Sequence, residues 1–508
     1  MFSFAIILGI YSYLIFSIGL LGQLYKGNII FITLVFISII SIYYKDKFKY
    51  KFKIPNISII LILIFIQTVI NLIGALAPEL GFDALWYHLT LPKIFIENHS
   101  IFHILGGLFY YSDMPKLGEM IYASSLSFGN EILAKFVNFS FGILILVALY
   151  KISRQFLNER FALLSVLIFS SNLVFSWQST TAYVDLVRTF FELMAFWGLL
   201  NYQKTKERKW LIESAVMIGL AISVKLLSIT SIFIFLALIL IREKKFTKNL
   251  LICMATSLFI ASPYFIFSFL NTGNPIYPLF SQFYKLELSL NNPLDILRLP
   301  DPISPIYFIF IPLILLYFNK FSSQVKTIAY YCLFSLVIWY ITQGTGGGRF
   351  ILPYLPVFSL ITVITIGYLS KNLQKVSTLL IIFIGLTTIL YRGVASYKYL
   401  PVVLGFESKD KFLSQNLNFS FGDFYDTDSY FKNHIKSNDK VLLFGFHNLY
   451  YLDFPFIDES FVKKGDEFNF IAVQNTSLPE RFSFWNLVYS NYKTGVKLYS
   501  IGGQKWIY

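Results

Sequence analysis

Residues Lys45–Asp83 read KDKFKYKFKIPNISIILILIFIQTVINLIGALAPELGFD, and this stretch decides the fold. Alternating lysines at Lys45, Lys47, Lys49, Lys51 and Lys53 come first, then the apolar run Ile57–Leu76, then a turn ending at Asp83. An apolar run of about twenty residues crosses a bilayer as a helix, and lysine-rich flanks stay cytoplasmic. The chain therefore enters the membrane from the inside near Lys53 and emerges outside at Ala77.

The same test can be run along the whole chain. Two spans precede the basic run, Phe4–Gly22 and Ile29–Tyr44. A long outer segment, Ala77–Asn130, holds Asp83, Glu97, Asp113 and Glu119 but few lysines. Ile132–Tyr150 returns the chain to Lys151, Arg154 and Arg160, and Phe161–Trp177 leads out to the uncharged Gln178–Tyr183 and then Asp185. Inner loops follow at Lys204, Lys206, Arg208 and Lys209, at Arg242, Lys244, Lys245 and Lys248, at Lys320 with Lys326, and at Lys371 with Lys375. No basic cluster lands on the wrong side. About thirteen helices result, with a cytoplasmic N-terminus and an extracytoplasmic C-terminus.

Composition agrees. Of 508 residues, 56% are hydrophobic, 19% aromatic and 14% charged, with a mean hydropathy of +0.63. These values exclude a soluble globular protein. The net charge of +14 resides mostly in orienting loops, so no nucleic-acid partner is expected. Cys253 and Cys332 both lie in apolar spans, which supports neither a disulfide nor a zinc cluster. Met1–Leu21 lacks a basic leading region and is read as a retained transmembrane helix.

The expected fold class is an all-α polytopic membrane bundle with a small extracytoplasmic α/β C-terminal domain. Residues 1–392 form the transmembrane domain, with first outer loop 77–130, and residues 393–508 the outer domain. In the latter, Asp426–Ile435 reads as a helix and Val441–Phe444, Phe468–Val473, Asn486–Tyr489 and Val496–Ile501 as strands. Leu211–Ile241 must cross twice in about thirty residues, so both helices are short and Lys225 falls at the turn between them.

With this orientation Asp83, Asp185, Lys225, Asn274 and Arg349 all reach one membrane face. Each ionisable group at bilayer depth costs about 2.5–3.5 kcal/mol on insertion scales, so their convergence indicates a polar site. Asp83, directly after a span and amid aromatics, suits a general base or a metal ligand; a helix cap weighs about equally. Asp185 is open to the same two readings, and Arg188 one turn on could pair with it. Arg349 follows Gly344-Thr345-Gly346-Gly347-Gly348, where a guanidinium can grip phosphate, or can snorkel to the interface. His88, about one turn from Asp83, could meet the same ligand. His99 and His103 have helical spacing, but without a fixed third ligand solvated loop residues are the favoured reading.

Taken together the motifs resemble a known family. Asp83-Ala84-Leu85-Trp86-Tyr87-His88, Tyr111-Ser112-Asp113-Met114-Pro115 and Glu119-Met120-Ile121-Tyr122 resemble the first outer loop of GT-C superfamily glycosyltransferases, in the aminoarabinose transferase and protein mannosyltransferase group. Ala182-Tyr183-Val184-Asp185, Gly219–Lys225, Thr272-Gly273-Asn274-Pro275-Ile276-Tyr277-Pro278, Gly347–Pro353 and Val441–Gly445 continue the resemblance in order along nearly the whole chain.

The resemblance implies a GT-C-like bundle that uses a polyprenyl-phosphate sugar as donor at the outer face of the cell membrane. Asp83 matches the first-loop acid that acts as base or orients the acceptor. Asp185, with His88 and Glu119, would support the acceptor or a metal; Lys225, Arg349 and Asn274 would hold the donor phosphate. Asp83 is followed by Ala84 where the mannosyltransferase pattern has a second acid, so a divalent metal cofactor is left open.

The expected function is transfer of a sugar, hexosyl or pentosyl, to an extracytoplasmic glycan, lipid or protein. A lipid-linked oligosaccharide flippase would show two related halves with interrupted helices, which are not evident. A surface-polysaccharide polymerase or ligase is the nearer alternative.

Overall fold

The computed structural model describes residues 1–45, 57–243, 248–282, 290–298, 302–342, 347–502 and 504–508. Lys47, Lys49, Lys51, Lys53, Lys244, Lys245, Gly344, Thr345 and Gly346 lie outside the described residues.

The first two spans form as helices Phe2–Leu20 and Lys26–Tyr44. The latter buries only Ile29 and leaves Phe31 68% and Ile42 74% exposed, the pattern of a helix solvated by acyl chains. Ile59–Ala75 follows, its start set by Ser58, whose hydroxyl accepts from the Leu61 N–H. Asn130 and Asn158 cap Glu131–Ser153 and Glu159–Ser170 in the same way. At the centre lies Asp185–Thr205, buried along almost its whole length against Glu131–Ser153 and Arg208–Val224. Gly219 permits a close crossing: a Cβ there would meet the Ser257 carbonyl oxygen at 2.7 Å.

Eight helices among the described residues are long and apolar enough to cross a membrane, and Ile59–Ala75 and Ile306–Lys320 are shorter apolar ones. The chain is an integral membrane protein, but the expected about thirteen spans are not reached by that measure. Several crossings are short or interrupted. Phe161–Trp177, expected as one span, breaks between Ser170 and Leu173. There the buried Asn172 donates to Ile168 O, Phe169 O and Tyr307 Oη and accepts from Ser304 N–H, replacing helical bonds with tertiary ones. Pro305 precedes Ile306–Phe310, and Pro312 divides it from Leu313–Tyr317. Arg208–Val224 and Ile229–Glu243 are the two short helices, and Lys225 stands between them in extended conformation, as the sequence led us to expect.

The C-terminal residues carry a small sheet domain. Its strands are β1 (Val441–Phe444), β2 (Phe456–Asp458), β3 (Glu467–Phe468), β4 (Phe470–Gln474), β5 (Asn486–Asn491), β6 (Val496–Ser500) and β7 (Trp506–Ile507). The main sheet has order β2-β1-β4-β6-β5, parallel where β1 meets β2 and β4 and antiparallel elsewhere; β3 and β7 pair separately. The expected helix Asp426–Ile435 shrinks to Tyr430–His434, because Ser429 takes a left-handed conformation (φ 60°) and starts the helix late.

This domain is tied to one end of the bundle. Lys409 pairs with Glu131 at 2.6 Å, the Tyr451 hydroxyl donates to Glu79 O, and the Lys93 ammonium donates to Tyr450 O.

Candidate active site

Glu79 builds the scaffold of the site. It is 1% exposed; one oxygen accepts from the Leu80 and Gly81 N–H groups at 2.9 and 2.6 Å, and the other from Ala182 N–H at 2.6 Å. One carboxylate thus joins the turn before Asp83 to the loop before Asp185. The sequence reading passed over it; the signal available was an acid in the Pro78-Glu79-Leu80-Gly81 turn.

Asp83 does not cap a helix: it precedes a wide turn, Ala84–His88, and its side chain makes no capping bond. Its Oδ2 accepts from Arg349 Nη1 at 2.5 Å and from the Tyr87 hydroxyl at 3.2 Å. Arg349 also donates from Nε to Asp185 Oδ2 at 2.8 Å, and Lys225 donates to Asp185 Oδ1 at 2.7 Å. The result is a row of alternating charge, Lys225–Asp185–Arg349–Asp83, from four distant parts of the chain.

Local structure places each member. Asp185 opens a helix and Lys225 closes one, so each meets the helix end that favours its charge. Gly347 (φ 91°) bends the backbone into a conformation open to glycine, and Arg349 follows at the start of the next span. The guanidinium stacks on Tyr183, 4.4 Å from the ring centroid, while the Tyr183 hydroxyl accepts from the Asp83 N–H.

Asp185 is fully buried, whereas Asp83, Arg349 and Lys225 keep 18%, 13% and 14% of their side chains accessible. Burial would raise the Asp83 carboxyl, but Arg349, followed by His88 and Lys225, outweighs it and holds that carboxyl below its ordinary value.

Beside this row lies a cavity whose walls include Tyr87, His88, Lys116, Glu119 and Lys225. His88 Nδ1 and Glu119 Oε1 are 2.6 Å apart, and His88 Nε2 has no partner in the structure. Lys116, absent from the sequence reading, is 2% exposed; its ammonium lies 4.5 Å from the Phe267 ring centroid and makes no hydrogen bond. Burial pushes it down to about 8, opposed by Asp113 and Glu119. Only the fold shows that this lysine turns inward.

Other expectations are redirected. Asn274 stands apart from the row: its side chain donates to Leu279 O and accepts from Ile276 N–H, bracing its own turn. Arg188 does not pair with Asp185 but points deeper, with its Nε 3.7 Å from Glu192 and Nη2 3.2 Å from the Tyr354 hydroxyl. His99 and His103 share no helical face, since the helix ends at Glu97. His99 stacks on Tyr25 and His103 bonds the buried Asp113 at 2.6 Å, so neither is simply solvated.

The sequence profile of the dolichyl-phosphate-mannose-protein mannosyltransferase family matches residues 121–267. Among solved structures, ArnT from Cupriavidus metallidurans superposes with a TM-score of 0.55 at 12% identity, covering 87% of this chain and 97% of that one. The chain shares the fold of ArnT. The Archaeoglobus fulgidus oligosaccharyltransferase, in a complex with Zn and sulfate, shares the GT-C fold at a TM-score of 0.50 and 12% identity, over 87% of this chain and 73% of that one. No curated protein matches the chain.

Among the described residues no group of three or more His, Cys, Asp or Glu side chains could hold a metal ion, and the Asp83 and Asp185 carboxylates are already bridged by Arg349.

Proposed function

We propose that this GT-C chain transfers one sugar from a polyprenyl-phosphate carrier to a hydroxyl acceptor at the outer face of the cell membrane. The N-terminus is then cytoplasmic, residues 1–392 form the catalytic domain and residues 393–508 an extracytoplasmic one. The observation that carries this reading is the Lys225–Asp185–Arg349–Asp83 row beside a cavity containing Lys116. A lipid-linked sugar needs cations for its phosphate and a carboxylate for the incoming hydroxyl, at the depth where headgroup meets acyl chain. ArnT, which shares the fold, has been crystallised bound to undecaprenyl phosphate.

In this mechanism Asp83 takes the proton of the acceptor hydroxyl as that oxygen attacks the anomeric carbon. The bond from the anomeric carbon to the phosphate oxygen breaks, and its electron pair leaves on the polyprenyl phosphate. Lys225 and Lys116 neutralise the charge that develops on the departing oxygen. Arg349 couples the two ends: a donor phosphate competes with Asp83 for the guanidinium, and release of that ion pair makes Asp83 a stronger base. Among the described residues no second carboxylate is placed as a nucleophile, which favours single displacement with inversion. His88 and Glu119, on the cavity wall, orient the sugar or the acceptor.

The test is mass spectrometry of membrane lipids after gene deletion, with transfer by the purified protein from the lipid that accumulates. Accumulation of one polyprenyl-linked sugar supports the reading. Absence of both accumulation and transfer overturns it.

A further inference from the structure

The C-terminal domain sends one side chain into the surroundings of Asp83. Strand β1 ends at Phe444, and Gly445 (φ 76°) turns the chain sharply where a Cβ would lie 2.4 Å from Gln474 O. The loop that follows is clamped. The His447 and Asn448 N–H groups both donate to Gly422 O, at 3.0 and 3.1 Å, and the Asn448 side-chain amide donates to the Asp423 carboxylate. Phe446 and Asn448 are 4% and 3% exposed, whereas His447 between them is only half-buried. A fixed loop thus presents a single imidazole.

That ring meets the turn that bears Asp83. It stacks on Phe82, with centroids 4.7 Å apart and planes at 18°, and packs against Trp86 at 4.5 Å. Phe82 directly precedes Asp83 in the chain, and Trp86 follows it by three residues. Trp86 in turn touches Tyr111 at 5.0 Å, and Tyr111 stacks on Tyr87, whose hydroxyl donates to Asp83. These contacts fix the plane of the imidazole, yet among the described residues neither of its nitrogens has a hydrogen-bond partner. Burial holds the ring below the ordinary histidine value, against the pull of Asp83, so it is neutral at neutral pH. A neutral imidazole offers one N–H donor and one acceptor nitrogen. Such an edge, beside the proposed base and unused by its own chain, suits a hydroxyl-bearing molecule.

We propose that His447 is an acceptor-binding residue: its imidazole hydrogen-bonds the acceptor molecule beside the hydroxyl that Asp83 deprotonates, so the C-terminal domain completes the active site. This rests on the reading of Asp83 as the base of the proposed transfer. Donor and acceptor are then held by different parts of the chain, the phosphate by Lys225 and Lys116 of the bundle and the acceptor in part by the C-terminal domain. Loss of the His447 nitrogens weakens transfer and leaves donor binding intact.

Two measurements separate the acceptor side from the donor side. In cells lacking the gene, induction of a wild-type or variant copy should clear the accumulated polyprenyl-linked sugar, at a rate followed by mass spectrometry of membrane lipids. With the purified full chain, undecaprenyl phosphate is the donor-side probe, read as a shift in melting temperature. His447→Phe keeps the stack on Phe82 but has no ring nitrogen, and should slow clearance about tenfold or more. His447→Gln, which can still donate and accept, should slow it less. Both should keep the wild-type shift with undecaprenyl phosphate. Wild-type clearance by His447→Phe would overturn the proposal, as would slow clearance accompanied by loss of that shift. His447→Ala carries the same expectations as His447→Phe and decides where that variant does not fold. Asp83→Asn is run in parallel. Its slow clearance beside normal clearance by His447→Phe would sink the role of His447 alone, whereas its wild-type clearance would sink the transfer reading and this proposal with it.

Discussion

The Arg349 guanidinium lies 2.5 Å from the Asp83 carboxylate although 266 positions separate the two residues. One cation thereby governs the charge of the carboxylate proposed as base. Asp83→Asn should lower transfer by about 10²–10⁴-fold, the range of a lost general base, without changing thermal stability much. Wild-type turnover in a transfer assay would remove Asp83 from the mechanism.

Arg349→Lys keeps the charge but cannot reach both Asp83 and Asp185 through the same planar fork. Donor KM should rise more than acceptor KM in a two-substrate kinetic analysis. An equal rise in both would argue against a contact between Arg349 and the donor phosphate.

Asp185 and Lys225 form a buried pair, and Asp185 also meets Arg349, so loss of Asp185 strips Lys225 of its carboxylate whereas loss of Lys225 leaves Asp185 one counter-ion. Asp185→Asn should cost about 3–5 kcal/mol in detergent-induced unfolding, and Lys225→Met less. The double variant should cost less than the sum of the two, and strict additivity would show that the pair is not coupled.

Lys116 makes a pH prediction. Its folded value of about 8 lies below the ordinary lysine value of 10.5, so the ammonium is lost as pH rises through 8, not through 10.5. Donor affinity should therefore weaken above about pH 8. Lys116→Arg, which stays charged, should flatten that fall. The folded state disfavours the charged form, so this group's contribution to stability should rise between pH 8 and 10.5. An unchanged alkaline limb in Lys116→Arg would remove it from donor binding.

Glu79→Gln keeps the size of the side chain but replaces one acceptor oxygen with a donor facing backbone N–H groups. A loss of about 1–3 kcal/mol in stability is expected. The fall in kcat should exceed the rise in KM, because Asp83 loses its position while the donor cavity remains. Loss of stability with unchanged kcat would make Glu79 structural alone.

Much of this was legible without coordinates. Lys225 was placed between two short helices because the basic loops on either side demanded two crossings in too few residues, and that constraint is local. Asp83, Asp185 and Arg349 could each be set at a helix end for similar reasons. Arg188 went astray because helical spacing offers Asp185 as its partner, whereas the Glu192 carboxylate, Tyr354 and the burial of both decide otherwise. Asn274 differs for the opposite reason: its side chain braces its own turn through Leu279 O and Ile276 N–H, and nothing in its residue type announces that.

By itself the sequence determined the membrane class, the side-to-side alternation of charge and the end of the bundle where ionisable groups gather. These depend on hydropathy and on the cost of taking charge into lipid, both properties of short segments. Only the tertiary structure decided who touches whom: Arg349 between Asp83 and Asp185, Glu79 joining two loops, and Lys116 turned into a cavity. Such pairings depend on helix rotation and on contacts between segments hundreds of residues apart, and those are settled by packing.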